Sequence, residues 1–307
     1  MKKITRRNFV KNSGSLLLFP LVKNNFYFKN NQPLLSFSTL GCPDWSFDTI
    51  VNFAVNNGYN GIEIRGIQRE MFLPHCPVFG ADKIEGTMQL VKDQGLSIVD
   101  LGASAAMHLS DATERKKNLD EAKAFIDLAQ QLRCPYIRVF PNAFPPNQDK
   151  NVTMEWIAKG LRELGDYAKN TNVTVLLETH GEVVKSDDIV HIMQLSANPK
   201  VGLVWDIVNM WSATKEPPEQ VYQKLKPYIH HAHIKDLRIT NGKETYTLLG
   251  EGIAPVFDGI DALYQGGYNG YYSFEWEKLW HPEIAAPEIA LADYPVKMRA
   301  HFKNIKE

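Results

Sequence analysis

The sequence predicts a closed (β/α)8 barrel forming a single domain, and three observations carry that prediction. From Leu34 onward, short apolar runs alternate with longer segments of helical period, eight times over. The runs are nearly continuous in apolar residues, as parallel strands covered on both faces are. No linker or low-complexity stretch divides residues 33–307, and a barrel of this kind needs about 250 residues. Strands alternating with helices imply right-handed crossovers, and eight such units at this length favour closure. A doubly wound open sheet is the alternative arrangement of the same elements.

The elements follow in order. LLSFSTL (34–40) is the first strand, and 46–58 is a helix ending at Gly58. NGIEIRG (60–66) precedes a helix over 81–95, and LSIVDLG (96–102) precedes a long amphipathic helix over 113–132. In that helix Leu119, Ala122, Phe125, Ile126 and Ala129 share one face. CPYIRVF (134–140) is followed by a helix over 153–170. In the second half NVTVLLETH (172–180) leads to a helix over 186–195, and KVGLVWD (200–206) to one over 218–225. IHHAHIKD (229–236) leads to a loop containing LGEG and a helix over 255–265. GYYSFEWE (270–277) leads to a final helix over 287–302. Gly or Asn closes helices repeatedly, at NNG, DQG, KNTN and QGG.

Residues 1–32 read differently. Lys2, Lys3, Arg6, Arg7 and Lys11 precede the short apolar run SLLLFPLV, which is the grammar of an export signal and too short to span a bilayer. The stretch TRRNFVK (5–11) closely resembles a twin-arginine export motif, so a periplasmic or exported location is expected. The alternative is a basic tail on a cytoplasmic protein. In the whole chain of 307 residues, apolar content is 44%, charged content 22% and formal net charge −1, ordinary for a soluble globular protein. There is no basic excess to grip a phosphate backbone, so nucleic acid is not the expected partner. Cys42, Cys76 and Cys134 are few, odd in number and without a Cys-x-x-Cys spacing, so they read as isolated packing thiols.

Four metal-type side chains stand at the ends of the last four strand-like runs: Glu178, Asp206, His233 and Glu275, separated by 28, 27 and 42 residues. The first two gaps each match one strand–helix unit, and the third contains the long loop. In a closed barrel the C-terminal strand ends ring a single site. Three carboxylates there would repel each other and be costly to bury, and a divalent cation relieves both problems. Three carboxylates and one imidazole favour Mn²⁺ or Mg²⁺ and also admit Zn²⁺, Co²⁺ or Fe²⁺.

On the segments GYNGIEIRG, YIRVFPN, VLLETHGE, VGLVWDIVN, HAHIKD, LGEG and GGYNGYYSFEWE, residues 34–302 resemble the sugar phosphate isomerase/epimerase superfamily of xylose isomerase-like TIM barrels. The resemblance implies that Glu178, Asp206, His233 and Glu275 are metal ligands. It also implies that Glu178 and Glu275 form an acid/base pair across a bound sugar. Two positions depart from the ketose 3-epimerases of that superfamily: Asn209 where they carry His, and Ile239 where they carry Arg. The His-rich set of its endonuclease branch is missing.

Such a site supports proton removal beside a carbonyl through an enediolate, with a second carboxylate returning a proton. Return to the same carbon epimerises, return to its neighbour isomerises, and loss of a β-substituent eliminates. The leading expectation is therefore a sugar isomerase or epimerase. A lyase, either a dehydratase or an enzyme that opens 3-keto-glycosides, is the alternative on the same scaffold. A periplasmic sugar-binding protein is the non-enzymatic one. A small carbohydrate is the expected partner, neutral in preference to phosphorylated, and pairing into a homodimer is compatible with the fold. Substrate-contact candidates are His180 and Lys235, each two residues after a ligand on the same strand face, together with Asn209, Arg138, Glu63 and His108. Trp45, Trp205, Trp211, Trp276 and Trp280 lie near strand ends, where a sugar face could stack. His231 is expected deeper in the barrel as a structural residue.

Overall fold

A computed structural model describes residues 32–305. The basic N-terminal segment and its twin-arginine-like motif lie outside the described residues. Eight parallel strands close into a barrel. In chain order the chain forms β1 (Leu34–Ser38), α1 (Phe47–Asn56), β2 (Gly61–Ile64), α2 (Ile84–Asp93), β3 (Ser97–Ala106), α3 (Ala112–Gln131), β4 (Tyr136–Phe140) and α4 (Lys150–Ala168). It continues with β5 (Thr174–Glu178), α5 (Ser186–Ser196), β6 (Val201–Asp206), α6 (Ile207–Thr214), α7 (Pro218–Leu225), β7 (Ile229–Ile234), β8 (Asp236–Thr240) and β9 (Lys243–Thr247). Last come α8 (Val256–Gln265), β10 (Tyr271–Phe274) and α9 (Pro287–Asn304). The barrel order is β1-β10-β7-β6-β5-β4-β3-β2.

Local chemistry sets the boundaries. Ser46, Asp111 and Asp149 each turn a side-chain oxygen back onto the first free N–H groups of α1, α3 and α4. On α3 the five residues assigned to one face are all buried. Among the described residues no helix is long and apolar enough to cross a membrane. All three cysteines are free and buried.

The structure corrects three boundaries. The segment read as a loop after β7 begins with an antiparallel hairpin, β8–β9, pairing Thr240 with Lys243. Its two-residue turn is Asn241-Gly242, with φ of 53° and 75°, the backbone that favours a hairpin of right-handed twist. A helix, α6, follows β6 without a gap, because Asp206 both ends the strand and caps the helix, its carboxylate accepting from the Asn209 N–H. Finally, β3 runs on past Gly102 to Ala106.

The motifs HIKD and LGEG turn out to be two halves of one contact. Asp236 accepts hydrogen bonds from the backbone N–H groups of Leu237, Gly250 and Gly252 at 2.8, 2.9 and 3.0 Å. A Cβ on Gly252 would lie 2.0 Å from Asp236 Oδ1, so only glycine allows this approach. The contact pins the loop after the hairpin against the mouth of the barrel.

Candidate metal centre and active site

The barrel interior at its C-terminal end is polar where many barrels are aliphatic. Glu178 ends β5, Asp206 ends β6, His233 lies on β7, and Glu275 follows β10. One ligand atom from each lies within 4.8 Å of the others, and all four residues are buried. A single cation with bonds of ~2.0–2.3 Å spans opposed ligands roughly 4–4.6 Å apart, so the four need only small adjustments to share one ion. His233 Nδ1 is 3.6 Å from Glu178 Oε1 and 3.4 Å from Glu275 Oε1.

The donor set passes a test of fit. His233 Nδ1 and Glu178 Oε1 are buried without a hydrogen-bond partner, a costly state unless another group claims them. Charge gives the same answer. Glu178, Asp206, Glu275 and Glu277 surround two cations, Arg138 and Lys235. With these acids ionised, and with buried Glu63 offset by buried Arg65, the excess of two negative charges is what one divalent ion neutralises. These residues could hold a divalent metal; the donor types do not choose which.

Beneath the four ligands lies Glu63, on β2 and fully buried. Its Oε2 sits 2.9 Å from His231 Nε2, 3.0 Å from His233 Nε2 and 2.7 Å from Ser273 Oγ. With Nε2 of His233 donating downward, loss of the Nδ1 proton leaves a lone pair facing Glu178 and Glu275, an orientation that tunes metal-binding histidines generally. Glu63, a substrate-contact candidate that could equally form a structural ion pair, does not line the cavity above the ligands. Instead it holds the imidazole, together with the deeper His231. Glu63→Ala should therefore weaken divalent-metal affinity by about 10–100-fold. Calorimetric titration with Mn²⁺ checks this, and unchanged affinity would separate Glu63 from the site.

The other candidates fall into three groups. Arg138 (β4) and Lys235 are buried against the ligands: Arg138 Nε is 2.9 Å from Glu178 Oε2. Lys235 Nζ is 2.8 Å from Asp206 Oδ2, 2.7 Å from Glu275 Oε2 and 2.7 Å from Glu277 Oε1. His180 lines the cavity above the ligands, packed on Phe140. Asn209 contributes its backbone N–H to Asp206, and neither it nor His108 lines that cavity. The cavity holds about 290 Å³, and its walls include Arg65, Ser104, Arg138, His180, Glu275 and Glu277. Trp280 stands at its rim, 54% exposed, whereas Trp205 and Trp276 are core residues. Arg65, Ser104, Asn142 and Glu277 were not anticipated.

Burial is the main cause that pushes the Asp206 pKa up to about 7; Glu275 and Glu178 add repulsion while Lys235 opposes it. Burial also works against a charged His233, but Glu63, Glu275 and Glu178 outweigh it and hold the imidazole well above its usual range. At Glu178 burial pulls upward, yet Arg138 and His233 keep the carboxyl below the usual carboxylate range. The metal-free site thus retains protons on Asp206 below about pH 7 and on His233 beyond it, and both must leave before the atoms can coordinate. Affinity for a divalent ion should rise as pH increases through 7, with proton release. Titrations in buffers of differing ionisation heat measure that release, and a pH-independent affinity would contradict it.

Four residues that could hold one divalent ion thus converge at the mouth of a closed barrel, and the comparisons name the group. Residues 51–293 match the family model of the xylose isomerase-like TIM barrel, and the chain belongs to that family. It is 27% identical over 225 residues to fructoselysine 3-epimerase of Shigella flexneri, covering 71% of this chain and 80% of that protein. It is 24% identical over 227 residues to 3-dehydroshikimate dehydratase of Bacillus anthracis, covering 70% and 78%. Among solved structures, the IOLI protein with a zinc atom superposes with a TM-score of 0.71 at 18% identity, covering 86% of this chain and 95% of that one. A xylose isomerase-like barrel from Mycobacterium smegmatis in complex with magnesium gives 0.67 at 18% identity, covering 89% and 97%. The relatives are epimerases and dehydratases, which supports an enzyme.

Proposed function

We propose that the protein is a divalent-metal-dependent enzyme that moves a proton on the carbon beside a carbonyl of a small sugar or keto-polyol, with epimerisation or isomerisation as its reaction. The observation that carries this reading is the convergence of Glu178, Asp206, His233 and Glu275 beneath a cavity of small-molecule size. A bound divalent ion would supply Lewis acidity at the substrate carbonyl. The remaining work falls to the chain's own side chains. Glu178 and Glu275 come from strands three places apart in the ring of eight and offer one carboxylate to take a proton and another to return it. Arg138 stabilises the charged form of Glu178, and Lys235 holds Glu275 in place. Trp280 and Phe140 offer rings on which a sugar face can stack.

Elimination is the second reading, favoured by the match to a dehydratase. A non-catalytic sugar binder has no need of the metal ligands, and all four are present. Incubating the Mn²⁺- or Mg²⁺-loaded protein with keto-sugars and 3-keto-glycosides in deuterated water tests the reading. Deuterium should enter at one carbon, and product mass separates isomerisation from loss of water or an aglycone. No exchange into any compound would count against the mechanism. Export through the twin-arginine route is part of the proposal and rests on residues 5–11. Replacing Arg6 and Arg7 by Lys should then retain the protein inside the cell.

A further inference from the structure

We propose that Arg65, with Ser104 beside it, forms an anion subsite on the cavity wall, and that the substrate carries a carboxylate or phosphate group. This rests on the proposed small-molecule active site and narrows its substrate class. Arg65 lies two residues beyond Glu63, just past the end of β2 and nearer the mouth. It is 5% exposed and lines the cavity. Its Nη1 donates to the Gly102 carbonyl at 3.3 Å and its Nη2 to Ser104 Oγ at 2.9 Å. No carboxylate lies within ion-pair distance of it among the described residues, whereas its neighbour Arg138 is paired with Glu178.

The site is built to hold this guanidinium. A Cβ on Gly102 would stand 2.6 Å from Arg65 Cδ and 2.9 Å from Arg138 Nη2. Glycine there lets both arginines lie across β3, at the cost of placing two buried cations side by side. Burial, then Arg138, works against the Arg65 charge, and Glu121, Glu178 and Glu275 offset part of that from further away. Glu121 is itself occupied, its Oε1 accepting from the Ser104 N–H. Arg138 and Lys235 are each engaged by carboxylates, so Arg65 is the cation of the cavity wall with no acid of its own. A buried, unpaired guanidinium facing a ligand cavity is suited to a planar or tetrahedral oxyanion, which it grips by charge-assisted hydrogen bonds.

The test is calorimetric binding to the Mn²⁺-loaded protein, with two matched pairs of probes. One pair is 3-dehydroshikimate and its methyl ester; the other is fructose 6-phosphate and fructose. At least one acid should bind tenfold or more tightly than its neutral partner, and the pair that shows the preference identifies carboxylate or phosphate. Arg65→Met should abolish the preference, and Arg65→Lys should keep part of it. Equal binding of acid and neutral partner in both pairs overturns the proposal on the unaltered protein, whatever the variants do. A preference that survives Arg65→Met, in protein with an unchanged far-ultraviolet circular dichroism spectrum, overturns it too. Binding needs no turnover, so an acid preference without deuterium exchange would sink the reaction and spare the subsite.

Discussion

Glu178→Gln should lower the rate of substrate proton exchange on the order of 10³–10⁴-fold, because it removes a proton acceptor and a ligand oxygen in one change. The side chain keeps its size and an oxygen, so the cavity keeps its shape. Its negative charge is lost, and with it the buried partner of Arg138 at 2.9 Å. Removing one member of such a pair costs about 3–5 kcal/mol when the other stays buried and charged. The kinetic loss must therefore be read on protein shown to be folded and at saturating metal. Exchange within tenfold of the unaltered enzyme would remove Glu178 from the chemistry.

Lys235→Met should cost the metal-free protein about 3–5 kcal/mol, a fall in Tm of roughly 6–20 °C. The ammonium is 1% exposed and bonds three carboxylates at once. Burial opposes its charge, yet Asp206, Glu275 and Glu277 hold its pKa well above the usual lysine value, so it stays a cation. Methionine leaves those acids facing each other. A divalent ion restores positive charge at nearly the same place, so saturating Mn²⁺ or Mg²⁺ should raise the Tm of Lys235→Met further than that of the unaltered protein. Thermal melts with and without metal measure this, and equal metal shifts in the two proteins would contradict the charge balance.

Glu178, Asp206, His233 and Glu275 were legible in the sequence because a carboxylate or imidazole closing an apolar strand is conspicuous, and barrel closure then dictates where strand ends meet. Glu63 is visible in the sequence, but its two readings, mouth contact and structural ion pair, are not separable there. From sequence a charged residue in a strand reads as reaching the mouth or as pairing inside, and the register of β2 against its neighbours puts it under His233. Arg65 and Ser104 were hidden for a related reason. Gly102 looks like the end of β3, but its missing side chain makes room for two arginines while the strand continues to Ala106. Asn241-Gly242 marks the hairpin, but its strands are mostly polar and carry no continuous apolar run to give them away. Helix α6 escaped notice because Asp206 serves as strand end, ligand candidate and helix cap together.

Anomalous diffraction from crystals of the protein grown with Mn²⁺ tests the central claim most directly. One strong peak should lie within ~2.0–2.4 Å of His233 Nδ1 and of an oxygen from each of Glu178, Asp206 and Glu275. A peak bonded elsewhere, or no peak at this position with the ion in excess, would contradict it.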